Sequence, residues 1–197
     1  YSPGWWRSTG EGKKKMADDS KITLIRRTRE SCHAFYQALV QDPVLFGDGE
    51  PYQPYQYDSD AVDAFFLKRE QQRDRMGFSV LLGDVVIGDV GFKHIDREKR
   101  CCELEICMTN DRVKNKGYGT QAERLAVQYA FEQMDMEMVL ADCLEKNARS
   151  QHVLGKVGFE LASQSQGCRL YRMTKERYLQ GMKARQEAKE ETLIERP

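Results

Sequence analysis

The feature that most constrains this chain is a junction. A glutamate-bearing apolar stretch, Glu103-Leu104-Glu105-Ile106-Cys107-Met108, leads through the loop Lys114-Asn115-Lys116-Gly117-Tyr118-Gly119-Thr120 into a long amphipathic segment. The first piece alternates as a strand does. From Gly117 to about Met134, Ala122, Leu125, Ala126, Tyr129 and Ala130 recur on one helical face. The first N–H groups of a helix have no intrahelical partner and carry the positive end of its dipole, so this turn suits a phosphate. Gly117 and Gly119 let the backbone approach a diphosphate with no Cβ in the way, and Lys114 and Lys116 add positive charge. Of the three G-x-G triplets, at 10–12, 47–49 and 117–119, only the last lies between a strand and a helix. The third glycine of a dinucleotide fingerprint is missing and no G-K-[ST] follows, which argues against a nucleotide triphosphatase.

The rest of the chain supplies elements to pack around this junction. Residues 22–25 read as a strand and 31–40 as a helix, whereas 47–57, rich in Gly, Pro and Tyr, cannot stay regular for long. A second helix starts at Asp60, with Val62, Phe65, Phe66 and Arg69 in step. Residues 78–82 and 85–92 flank a Gly83-Asp84 turn and predict a hairpin, followed by a polar loop at 96–100 and a strand at 102–108. Beyond the long helix come a short strand (137–143), a short helix (147–157) and a closing hairpin (158–163 with 168–173). Residues 175–197 are charged and predict a helix that frays; residues 1–20 predict a flexible tail, with Met16 a candidate native start. The order of elements implies an α/β (α+β) fold in which a mixed sheet carries helices on both faces, forming one domain over 21–174.

Composition narrows the function classes. Thirty-one Lys+Arg against 31 Asp+Glu give no net charge, which argues against a nucleic-acid binder despite Lys13 to Lys15 and Lys114 to Lys116. No apolar run approaches the ~18 residues of a membrane span, and no secretory signal opens the chain, so a cytoplasmic location is expected. The six cysteines form no C-x-x-C, the three histidines are scattered, and H-E-x-x-H is absent; structural thiols and no metal site are expected.

Residues 77–159 resemble the GNAT N-acetyltransferase superfamily, especially its ribosomal-protein N-acetyltransferase-like branch. Four features stand in the family's order: the glutamate-bearing strand, the loop Lys114-Asn115-Lys116-Gly117-Tyr118-Gly119 in place of Gln/Arg-x-x-Gly-x-Gly/Ala, the run Asn147-Ala148-Arg149-Ser150 like Asn-x-x-Ser, and Gly155-Lys156-Val157-Gly158-Phe159 like Lys-x-Gly-Phe. The resemblance implies a mostly antiparallel central sheet. It also implies acetyl transfer from acetyl-CoA to a primary amine, on a small molecule or a peptide, by direct attack in a ternary complex, in a monomer or homodimer. Acetyl-CoA is then the cosubstrate. Its pantetheine arm pairs with the backbone near Cys107, Met108 and Thr109, its diphosphate meets Lys114 to Thr120 (with Asn115, Lys116, Gly117, Tyr118 and Gly119), and Asn147 and Ser150 contact it from the other side. Glu103 is the first candidate for the base and Glu105 the second, since side chains two apart on a strand share a face. Asn147 is also expected to cap its helix. The Tyr52, Tyr55 and Tyr57 cluster lines an acceptor site or merely covers a core.

Two positions depart from the family. Lys114 keeps a donor but lacks the planar fork of arginine. Leu154 stands where many members carry the tyrosine that protonates the departing thiolate, so another group or water takes that role, or the thiolate leaves unassisted. A non-catalytic acyl-CoA-binding or regulatory module is the competing reading.

Overall fold

The computed structural model describes residues 21–46 and 51–194, with side chains to Glu187. The expected tail at 1–20, the glycine triplet at 47–49 and the last three residues lie outside the described residues. The elements run β1 (Ile22–Arg26), α1 (Arg29–Ala38), a 3-10 turn (Pro43–Leu45), α2 (Ser59–Gln71), β2 (Met76–Leu82), β3 (Val85–Asp96), β4 (Cys101–Met108), α3 (Tyr118–Glu132), β5 (Met138–Leu144), α4 (Ala148–Val157), β6 (Glu160–Ser165), β7 (Cys168–Thr174) and α5 (Lys175–Ile194). The strands form one sheet in the order β1-β2-β3-β4-β5-β7-β6. Every pairing is antiparallel except β4 with β5, where α3 carries the chain across and returns it in the same direction.

Local sequence sets the helix starts. Thr28 and Ser31 form a reciprocal capping box on α1, Asp58 accepts from Ala61 N–H at the start of α2, and Asn147 accepts from Ser150 N–H at the start of α4. Alternation then sorts the strand residues between two faces. Val90, Phe92, Cys102 and Leu104 join a core beneath α3, whereas Asp89 and Cys107 turn to the face that α1 covers. Ala122, Ala126 and Ala130, spaced four apart on α3, are fully buried among Phe78, Val80, Val90 and Val139. Their small side chains let the helix lie close on the sheet.

Three details differ from the expectations. Strand β3 runs on to Asp96, four residues past the expected end, with a register slip between Lys93 and Asp96 and His94 in the left-handed region (φ 52). A slip of this kind leaves no periodic trace in the sequence. The 3-10 turn, capped by Asp42 and opened by Pro43, was not anticipated. Helix α1 stops at Ala38, two residues short of the expected end.

Replacing Ala126 with Leu forces α3 off the sheet. We expect a loss of about 1–3 kcal/mol in the free energy of unfolding by urea, with exposed Leu67→Ala on α2 as a near-neutral control.

Candidate active site

The site is built by a separation of strands. The β4–β5 ladder holds only from Cys101 opposite Met138 to Leu104 opposite Ala141. Beyond it β4 stays with β3 as far as Met108, while β5 stays with β7 as far as Leu144. Among the described residues, the backbone of 105–108 therefore has no strand partner on its β5 side. Two cavities of about 240 Å³ each occupy the gap. One, lined by Leu104, Glu105, Ile106, Ala141 to Leu144 and Leu154, sits in the splay itself. The other opens toward the start of α3, past Met108, Lys114, Gly119 and Arg149. Ile106, Glu123, Asn147 and Ser150 line both, so the two are continuous.

The start of α3 has the form the sequence suggested. Gly117 is its N-cap, at φ 83, and no side chain caps the helix. Left-handed backbone favours glycine here, and the amides of the first turn carry no side-chain acceptor. A Cβ on Gly119 would meet only Met108 Cγ at 3.9 Å, so the space beside this glycine belongs to the cavity. Lys114 behaves differently from the expectation. Its Nζ lies 3.0 Å from both Asp42 and Asp111, and Arg149 reaches the same Asp42 oxygen at 2.8 Å. Asn115 takes a left-handed conformation (φ 59), Lys116 is exposed, and Tyr118 packs partly buried against the core. Thr109 is buried; its N–H and hydroxyl both donate to Ile87 O, and its carbonyl accepts from Val40 N–H. That leaves Ile106 to Met108 facing the cavities. Asn147 caps α4 by accepting from the Ser150 N–H, and both residues line them.

On the opposite face of β4, Glu103 and Glu105 stand side by side as expected, yet each meets its own cations. Glu103 pairs with Lys93 Nζ at 2.6 Å and His94 Nδ1 at 3.0 Å. Glu105 pairs with Arg75 at 3.2 Å and faces a third cavity, of about 320 Å³, lined also by Arg27, Asp89, Arg69, Phe35, Tyr36, Tyr55, Phe65 and Cys107. Glu103 does not line it. Asp89 is held by the Arg27 guanidinium, yet burial outweighs that attraction and pushes its carboxyl up to about 6. Of the tyrosine cluster, only Tyr55 reaches this cavity; Tyr57 bonds His33 at 2.9 Å, and Tyr52 packs on Phe46.

Glu123 was missed by the sequence reading. It lies on the buried face of α3, 2% exposed, between Ala122 and Ala126, and its Oε2 has no hydrogen-bond partner among the described residues. Burial alone pushes this carboxyl up to about 8. The available signal was periodic: a glutamate one residue from Ala122 and four before Val127, on a face otherwise apolar.

Residues 21–160 match the family model described as acetyltransferase (GNAT) domain. An uncharacterized N-acetyltransferase of Bacillus subtilis (strain 168), YnaD, is 33% identical over 49 residues, which cover 25% of this chain and 29% of that protein. Spermidine N-acetyltransferase from Vibrio cholerae, solved with CoA and spermine, superposes with a TM-score of 0.68 at 16% identity, covering 81% of this chain and 99% of that one. A chimera of the V. cholerae enzyme SpeG and hSSAT gives 0.66 at 17%, covering 80% and 98%. At such identities the likeness is one of fold. No helix among the described residues is long and apolar enough to cross a membrane.

Burial of Glu123 has a stability consequence whose sign is fixed. An unfolded glutamate loses its proton near pH ~4.3, the folded one near pH 8, so ionisation favours the unfolded chain increasingly between those values. Glu123→Gln should therefore gain stability relative to wild type on going from pH 4.5 to pH 8.5, by on the order of a few kcal/mol in urea titrations. A difference that does not move with pH would mean the carboxyl is not held neutral.

Proposed function

The chain belongs to the GNAT acetyltransferase domain family, and we propose that it moves an acetyl group from acetyl-CoA to a primary amine bound across β4. The observation that carries this reading is the continuous cleft between the splayed strands, ending at a helix start that no side chain caps. The amides of Tyr118 to Thr120 suit the diphosphate, with the Gly119 side left open for it. The pantetheine arm lies along 105–108 as an added strand would, because the backbone there has lost its β5 partner. A β4 N–H aimed at the thioester carbonyl holds the oxyanion that forms on attack. Asn147 and Ser150 border the arm from α4.

The acceptor amine enters from the other face. A free alkylamine, with pKa near ~10, is less than about 1% unprotonated at neutral pH, so a nearby carboxylate must take its proton. Glu105 is best placed, since it faces both the splay and the third cavity. Glu103, one pleat further along the same face, is the second choice, because Lys93 and His94 already hold it. The third cavity sets Arg27 and Arg69 against Asp89 and Glu105, with aromatic walls between. That balance fits a singly charged amine on an apolar body, including a peptide N-terminus. The V. cholerae neighbour is named for spermidine, a polycation that a cavity of this charge would not favour. The protein works in the cytosol, consistent with six free cysteines.

A second reading, a module that binds acyl-CoA without turning it over, is favoured by one observation. Lys114 is occupied by two aspartates and offers the diphosphate little free charge.

Incubation with acetyl-CoA and a broad amine panel, followed by mass shift and thiol release, separates the readings; binding with no release on any amine would support the module. Gly119→Val should weaken coenzyme A binding at least tenfold in calorimetry with the fold intact; unchanged affinity would place the diphosphate elsewhere. Glu105→Gln should lower turnover strongly at pH 7 and less at pH 9, and more than Glu103→Gln does. The reverse ranking would return the base to Glu103.

A further inference from the structure

We propose that the Glu123 carboxyl is the acid that protonates the departing sulfur in acetyl transfer, an assignment that rests on the proposed function. Glu123 stands at the junction of the two cavities of the cleft, and its Oε2 is buried and lacks a hydrogen-bond partner among the described residues. A buried carboxyl without a partner is costly, and one directed into a ligand cavity is completed by whatever fills that cavity. The gap between β4 and β5 is where the thioester end of the arm must lie if the acceptor is to be reached through β4. Leu154 lines the same space and has no proton to give.

The surrounding groups leave Glu123 in its neutral form. Glu105 and Cys107 of β4, Asp142 and Cys143 of β5, Asp42 of the 3-10 turn, Lys114 of the loop and Arg149 of α4 share its cavities. Lys114 and Arg149 are taken by Asp42, so no cation is turned to the Glu123 carboxyl. On β3, Asp89 and Lys93 belong to the other sheet face, and β1 presents Ile22 and Leu24, with Arg26 over the Phe78 ring. Burial alone acts on the group and holds its proton to about pH 8. The thiols of Cys107, held up to about 11, and Cys143, also raised by burial, are poorer donors.

The step balances. The neutral amine nitrogen bonds to the acetyl carbon while the Glu105 carboxylate takes its N–H proton and then passes it to water. The carbon–sulfur bond then breaks, and the sulfur takes its electron pair together with the proton on the Glu123 carboxyl. Glu123 is left as a carboxylate and recovers a proton from water in the open cleft once the products leave. Net, one N–H proton ends on the coenzyme A thiol.

The test is Glu123→Gln, which keeps shape and removes the proton. In the wild type, kcat with saturating acetyl-CoA and the best panel amine should fall as pH rises through about 8. The variant should be roughly a hundredfold slower at pH 7 and should lose that alkaline limb, with coenzyme A affinity in calorimetry changed less than threefold. A second readout needs no turnover: a carboxylic-acid carbonyl band in the infrared spectrum of the wild type at pH 7, absent from the variant. Wild-type kcat that stays level from pH 7 to pH 9.5, a variant as fast as the wild type, or no such band would each overturn the assignment. The wild-type profile and band decide the matter even if the variant does not fold. A wild type that acetylates no amine would remove the proposed function itself, and the assignment with it.

Discussion

The structure depends on a ladder that stops early. Four residue pairs join β4 to β5, and no fifth forms, although both strands continue on their outer sides. β4 stays with β3 and β5 stays with β7, so each strand is held on its outer side while the facing edges diverge beyond Leu104 and Ala141. The gap exposes backbone polar groups of β4 that must find partners, which makes a ligand with an amide-bearing, extended arm a natural occupant. The crossover that makes the pair parallel also brings the start of α3 to the mouth of the gap, so one topological choice creates both the slot and the anion-holding turn.

Helix α3 has to sit close for this to work. Its alanines allow that, and the same close approach makes the one carboxyl on that face conspicuous. Stability gives no reason for an acid there, and the cavities on either side of it do.

Much of this was legible in the sequence because it is written in short-range pattern. Strand alternation, helical spacing, the Gly83-Asp84 turn and the Asn147 cap placed every strand and α-helix to within a few residues. The shared face of Glu103 and Glu105 followed from pleat geometry alone. What was not legible depends on partners distant in sequence. Lys114 reads as a free phosphate ligand until Asp42, 72 residues away, is seen beside it. Glu103 reads as a base until the slip in β3 brings His94 round to hold it. Thr109 reads as an arm contact until Ile87 and Val40 are found to use its backbone. Local pattern cannot report which side chains the register brings together.

The Asp42 bridge has an ionic meaning of its own. One carboxylate ties the 3-10 turn to the loop before α3 through Lys114, and to α4 through Arg149. A diphosphate at the proposed α3 amides could draw on these two cations only by displacing that carboxylate, which exchanges one ion pair for another. Any part of the affinity that came from such an exchange would respond only weakly to added salt.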